Sequence, residues 1–312
     1  MKLKKPKFWD YKEGNILAIL LWPLTLVYVL LSSFSKKRSI KPSNIKTICV
    51  GNIYIGGTGK TSLAIKIKNI LDRHNIKSCF IKKYYLDQID EKKILEKYGK
   101  IFFNKKRGDS LKEAVSQNYE VAIFDDGLQD PSIDYDIVFV CFNNLNWIGN
   151  GFLIPAGPLR EKLNKIKKYN NIFLNGNNEK LDDIKLIIKK INPSINIFES
   201  RYTPYDFGHL NKKDDYIAFS GIGNHQTFIN MLKNEKFKIL EDFEFPDHYN
   251  YKKLDIEKLH LKAKNYNAQI ITTEKDYARL SKNENIKYIK TKLTIKDEDK
   301  LLKILIEKDE KN

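Results

Sequence analysis

The chain has 312 residues, with 56 Lys and Arg against 39 Asp and Glu, a formal net charge of +17. That length supports two modest domains with cores of their own, and the charge favours phosphorylated substrates or anionic lipid as partners. The lysines are scattered within a general Lys, Ile and Asn bias, and no RNA-binding aromatic signature, zinc-finger spacing or basic zipper accompanies them, so nucleic acid is not an expected partner. Cys49, Cys79 and Cys141 lie far apart, each in an apolar run and none at metal-ligand spacing. They read as small core residues of a reducing compartment.

The first segment, residues 1–40, differs from the rest. Ile16 to Leu31 is an uncharged apolar run interrupted by Pro23, preceded by Lys2, Lys4, Lys5, Lys7 and Lys12 and followed by Lys36, Lys37, Arg38 and Lys41. A bilayer crossing needs roughly 20 residues, and basic clusters on both flanks are drawn to the same cytoplasmic side. The expectation is a helix or hairpin that dips into the inner leaflet, with Trp9, Trp22 and Tyr28 at the interface. Neither a cleaved leader nor a soluble core helix fits as well, because positive charge follows the run and no polar face divides it.

Beyond the anchor, strand-like runs at 47–50, 79–81, 101–103, 121–124, 137–141, 172–174 and 195–198 alternate with helical stretches at 62–74, 110–117 and 181–190. Short continuous apolar strands between helices predict a parallel α/β sheet covered on both faces. A second series follows, with strands at 216–219, 239–243, 269–272 and 286–289 and a helix at 226–233 capped by Asn224. Residues 201–214, containing Pro204 and Gly208, read as the connection between lobes. The expected domains are therefore an anchor at 1–40, a phosphate-loop kinase-type core at 41–200 and a smaller α/β lobe at 201–312 closing a cleft at the strand ends.

The chemistry begins at Tyr54-Ile55-Gly56-Gly57-Thr58-Gly59-Lys60-Thr61, which follows the first strand and opens a helix. Glycines there let backbone N–H groups close around phosphates, Lys60 reaches the β/γ-phosphates, and the Thr61 hydroxyl ligates Mg²⁺. The usual pattern has Gly where this chain has Tyr54. The strand 121–124 ends in Asp125-Asp126, the place where an acidic residue meets Mg²⁺ in such proteins, followed by Gly127 and by Gln129, which can bond a phosphate or water. A stiff loop, Pro155-Ala156-Gly157-Pro158, leads to Arg160-Glu161, which suits either a fork held on a phosphate or an ordinary ion pair. His248, in Phe245-Pro246-Asp247-His248-Tyr249, has the most functional setting of the five histidines, and Thr272–Asp276 either lines the cleft or caps a helix.

In their order along the chain, these motifs closely resemble the tetraacyldisaccharide 4′-kinases, the lipid A 4′-kinases of Gram-negative bacteria. The resemblance covers essentially the whole chain. It implies a membrane-bound kinase that uses ATP and Mg²⁺ to phosphorylate the 4′-hydroxyl of an acylated glucosamine disaccharide 1-phosphate at the cytoplasmic face of the inner membrane, with no obligate protein partner. It also implies metal roles for Thr61, Asp125 and Asp126, and a catalytic pair of His248 with the Asp of an Asp-Glu motif, matched here by Asp90-Glu91, with Asp87 as the alternative register. Lys60 would stabilise the transferring phosphoryl group, and Arg160 and Gln129 would contact substrate. Several positions depart from the family pattern: Ile81-Lys82-Lys83-Tyr84-Tyr85 replaces a Ser-Arg-Gly-Tyr stretch, Asp130 replaces His, and His225 replaces Pro. A membrane-attached nucleotide switch is the competing reading; it gives His248 no task, and a GTP switch requires an Asn-Lys-x-Asp guanine-reading motif.

Overall fold

The computed structural model describes residues 6–11, 15–33, 39–42, 44–85, 89–176, 181–205, 210–247, 249–280 and 285–307, with backbone alone at 32–33 and 89–90. Its contacts divide the chain into two units, one comprising Lys7–Ser200 with Ile295–Asn312, the other built on Arg201–Thr294.

In the first unit, helix α1 (Ile16–Ser33) precedes strand β1 (Lys46–Gly51), helix α2 (Lys60–Arg73), β2 (Ser78–Lys83), α3 (Ile89–Glu96), β3 (Ile101–Asn104), α4 (Arg107–Ser116), β4 (Val121–Asp125), β5 (Ile137–Asn143), β6 (Asn171–Asn175), α5 (Leu181–Ile191) and β7 (Asn196–Tyr205). The strand order is β3-β2-β4-β1-β5-β6-β7, and every pair whose register is defined in this unit is parallel. β4 and β6 are buried along their whole length, as continuous apolar runs covered on both faces must be. α2 turns Leu63, Ala64, Ile67, Ile70 and Leu71 onto the sheet, a helical stripe in which each fully buried large aliphatic side chain stabilises by about 1.5–3 kcal/mol. The chain reverses its direction of sheet growth at β1, so the carboxyl ends of β1 and β4 form the switch point where ligands gather in open α/β sheets.

α1 lies on the Pro-Gly loop of this unit. Thr25 Oγ1 donates to the Leu153 carbonyl (3.2 Å), Tyr28 OH donates to the Arg160 carbonyl (3.0 Å), and Ala18 is buried. The other faces of the helix leave Ile16, Ile19, Leu20, Leu24, Leu30 and Leu31 exposed. Among the described residues no helix is long and apolar enough to cross a membrane.

The second unit carries β8 (Asp215–Ser220), α6 (His225–Asn234), β9 (Lys238–Glu244), α7 (Lys253–Tyr266), β10 (Gln269–Thr273), the short α8 (Glu274–Tyr277) and β11 (Lys287–Ile295). β11, β10, β8 and β9 are neighbours in that order and parallel. Asn224 caps α6, its side chain accepting from the Thr227 amide (3.0 Å). His225 is buried at the start of α6, one ring nitrogen bonded to Ser220 Oγ and the other to Asp242 Oδ1, both at 2.7 Å.

The last helix, α9 (Glu298–Ile306), belongs with the first unit, where Glu298 pairs with Lys66 (2.6 Å) and with Arg73. The expected connection at 201–214 is shorter than its composition suggested: β7 runs to Tyr205, because β-formers such as Tyr202 and Thr203 continue the strand, and Thr203 Oγ1 lies 2.8 Å from Thr294 Oγ1. All three cysteines are buried and unbonded to one another, and burial pushes the Cys79 thiol up to about 12.

Candidate active site

The phosphate loop follows from β1 and α2. β1 ends at Gly51, where any Cβ would collide with the Leu128 side chain, so this Gly is what brings the loop after β4 against the loop after β1. Gly59 adopts φ 88°, a left-handed conformation that suits Gly, and it hands the chain directly to the first turn of α2 at Lys60. Asn52, fully buried, donates through Nδ2 to Thr58 Oγ1 (2.9 Å) and holds the loop from inside. The amino end of α2 and the loop N–H groups together form the type of anion site that receives phosphates.

Tyr54, the residue standing where the usual motif has glycine, has a structural task. Its ring is 1 % exposed and packs with Leu153 and Leu159, with Val29 of α1 against the same cluster. Backbone bonds run alongside: the Ile55 amide to the Pro158 carbonyl (2.8 Å) and the Arg160 amide to the Ile53 carbonyl (2.7 Å). The rigid loop 155–160 is thereby fastened to the phosphate loop, which delivers Arg160 to the site.

Charged side chains of both signs meet at the end of β4. Asp125 is fully buried; its Oδ2 accepts from Thr61 Oγ1 (3.2 Å) and from Lys82 Nζ (2.7 Å), while its Oδ1 is buried without a hydrogen-bond partner among the described residues. An orphaned buried carboxylate oxygen beside a phosphate-loop Thr hydroxyl is a donor set that fits Mg²⁺, which prefers one or two carboxylates plus phosphate oxygens. Asp126, at φ 57°, directs Oδ1 to Arg160 Nη1 (3.1 Å) and to Lys60 Nζ (3.7 Å). Burial alone would raise its pKa, but Lys60, Arg160, Lys82 and Arg107 hold it at about 2. Gln129 completes the arrangement, donating from Nε2 to the Asn52 carbonyl (2.7 Å) and accepting at Oε1 from Arg160 Nη1 (2.8 Å). Arg107 is buried behind the turn, bonded to the Asp126 carbonyl (2.6 Å) and to Asp130 (3.0 Å). Asp130 thus serves as the counter-charge of a buried arginine.

The structure therefore brings together Gly56–Thr61, Asp125, Asp126, Gln129 and Arg160. Asp87, the Asp90 side chain and His248 lie outside the described residues. Thr272–Asp276 has an architectural role in the second unit. Asp276 is fully buried and accepts from Thr273 Oγ1 (2.7 Å), Tyr251 OH (2.9 Å) and Arg279 (3.2 Å), and Arg279 also bonds the Gly221 carbonyl (3.0 Å). Sequence reasoning missed Lys82 and Asn52. Lys82 was hidden as one lysine among many, although a Lys inside the otherwise apolar run 79–82 was the available signal. An Asn-Lys-x-Asp string does occur, at 211–214, but it is a tight turn of the second unit closed on itself, Asn211 Nδ2 to Asp214 Oδ1 (2.8 Å), and is not on the phosphate-loop unit. Among the described residues, no three His, Cys, Asp or Glu side chains are grouped to hold a metal by themselves.

A parallel sheet with a phosphate loop after one strand and a buried carboxylate at the end of its neighbour defines the class, an α/β protein of the phosphate-loop type. The Tetraacyldisaccharide-1-P 4'-kinase (LpxK) family model matches residues 17–100 and 89–309. The chain is 57 % identical over 315 residues to a tetraacyldisaccharide 4'-kinase of Pelagibacter ubique (strain HTCC1062), covering 100 % of both chains. It is 35 % identical over 323 residues to the protein of that name from Rickettsia akari (strain Hartford), covering 96 % of each. The crystal structure of LpxK from Aquifex aeolicus in complex with ATP has the same fold, with a TM-score of 0.67 at 23 % identity over 93 % of this chain and 98 % of that one. This chain belongs to the tetraacyldisaccharide 4'-kinase family.

Proposed function

We propose that this protein is an ATP-dependent lipid kinase that transfers the γ-phosphate of ATP to the 4′-hydroxyl of a tetraacylated glucosamine disaccharide 1-phosphate, the step of lipid A biosynthesis that forms lipid IVA. The observation that carries the chemistry is Thr61 bonded to Asp125 at the foot of the phosphate loop, with Asp125 Oδ1 left for a cation. The acceptor follows from family membership at 57 % identity over the whole chain.

Phosphoryl transfer asks the protein for positioning and charge stabilisation more than for covalent chemistry. The amides of Gly56–Gly59 would hold the β- and γ-phosphates, and Lys60, next to Asp126, would stabilise the transferring group. Thr61 and Asp125 would hold Mg²⁺, which when bound would neutralise charge on the phosphate oxygens. Asp126, paired with Lys60 and Arg160, keeps both cations in place beside the site. Among the described residues, Arg160 uses Nη1 on Asp126 and Gln129, and its remaining fork donors would serve a substrate phosphate. Asp90 and His248 orient or deprotonate the attacking hydroxyl, a role resting on the motif match.

The apolar surface of α1 and the basic residues flanking it bring the site to the cytoplasmic face of the inner membrane, where an acylated disaccharide resides. His248 falls within the stretch Arg201–Thr294, the second unit. The test is incubation of the full chain in detergent with γ-labelled ATP, with and without the tetraacylated disaccharide 1-phosphate. Label in the lipid supports the kinase; equal phosphate release in both arms and unlabelled lipid would instead indicate a nucleotide switch.

A further inference from the structure

The buried lysine Lys82 has no part in the phosphate-loop chemistry described so far. It stands on β2, whose neighbour β4 carries Asp125, with Ile81 in register with Phe124. Its side chain is 2 % exposed, and Nζ lies 2.7 Å from both Asp125 Oδ2 and Glu91 Oε2. Packing does not call for a charge here, since the three residues before it in the strand, Cys79, Phe80 and Ile81, are apolar and buried and a Met would fill a similar volume. Two carboxylates, each at 2.7 Å, are its counter-charges. A charge this deep is tolerated only when paired.

Two consequences follow from the geometry. Thr61 and Lys82 both occupy Asp125 Oδ2, which fixes the carboxylate's rotation and makes Oδ1 the oxygen left over. Lys82, Glu91 and Asp125, the first and last of them buried, carry a net charge of −1 together; without Lys82 it would be −2. We infer that Lys82 is a positioning residue, a built-in counter-cation that orients Asp125 while keeping the site too weakly anionic to take a divalent cation until nucleotide phosphates supply the remaining charge and ligands. This rests on the reading of Thr61 and Asp125 as the metal side of a nucleotide site. Metal then arrives with ATP, and a nucleotide-free enzyme does not hold an idle ion.

The experiment is Mn²⁺ titration of the full chain in detergent, followed by electron paramagnetic resonance, with and without a non-hydrolysable ATP analogue. Wild type should take up Mn²⁺ at this site only with the analogue. Lys82→Met should bind Mn²⁺ without nucleotide at least about tenfold more tightly than wild type, since a unit charge a few ångströms from a divalent ion changes binding by that much even when well screened. Its kcat should fall with KM for ATP little changed, and Lys82→Arg should restore nucleotide-dependent uptake. Should Lys82→Met fail to fold, Lys82→Gln removes the charge while keeping a donor. Glu91→Gln retains Lys82 and must move the other way, weakening uptake in the presence of the analogue. Nucleotide-free Mn²⁺ binding that is the same in wild type and the neutral variants overturns the inference. Absence of Mn²⁺ uptake by wild type with the analogue would instead remove the nucleotide-site reading beneath it.

Discussion

Replacing Tyr54 by glycine restores the usual phosphate-loop pattern, and the structure predicts that the repair damages the protein. Tyr54 is 1 % exposed and joins Leu153 and Leu159 in a small cluster that fastens the 155–160 loop. Truncating a buried aromatic side chain costs about 3–5 kcal/mol, and the added backbone freedom of glycine costs about 0.5–1 kcal/mol more. The sum, about 4–6 kcal/mol, is a large part of the 5–15 kcal/mol by which domains are stable. The bond from the Arg160 amide to the Ile53 carbonyl (2.7 Å) lies beside this cluster, so Arg160 should lose its register with Asp126. Urea denaturation of Tyr54→Gly should show a clearly lowered midpoint, and fluorescent-ATP binding at low urea should be no tighter than in wild type. An unchanged midpoint with tighter ATP binding would refute the assignment of Tyr54 as an anchor.

Lys60→Ala should abolish most phosphoryl transfer by removing a cation directed at the transferring group, checked by single-turnover kinetics. Asp126 has its pKa lowered from 3.8 to about 2, so its contribution is fully present above pH 4 and is lost as pH falls toward 2. Asp126→Asn should therefore flatten the acid limb of the stability–pH profile, an effect of about 2 kcal/mol in urea midpoints measured between pH 5 and 2. Leu20→Glu with Leu31→Glu places charge on side chains that are 70 % and 69 % exposed, so sedimentation with anionic vesicles should drop while the melting temperature holds. Asp90→Ala and His248→Ala should each lower kcat by roughly 10²–10⁴-fold with ATP binding intact, and the double variant should cost far less than the product. Asp87→Ala is the control for register.

The parallel core was legible because β1, β2, β4, β5 and β6 are short continuous apolar runs, and burial on both faces leaves no other pattern. The phosphate loop and Asp125-Asp126 were legible because their chemistry requires particular residues at fixed spacing. α3 and α7 were not, since charged residues such as Asp90, Glu91, Lys92 and Lys93 dilute the helical stripe in segments stabilised largely by tertiary contacts. Lys82 escaped for a related reason: its meaning depends on Asp125 and Glu91, 43 and 9 residues away, which meet it only through strand order. Thr272–Asp276 shows the converse: of cleft lining and helix capping, the cap is what forms, Thr273 Oγ1 accepting from the Asp276 amide while the Asp276 carboxylate holds Arg279.

The most direct measurement of the central claim is ³¹P NMR of the lipid recovered after reaction with ATP and Mg²⁺. A second phosphomonoester resonance, assigned to the 4′-position by its coupling to the sugar proton, should form one for one with ADP and be absent with Thr61→Val. Recovery of lipid bearing only its original 1-phosphate, while ATP is consumed to ADP and inorganic phosphate, would contradict it.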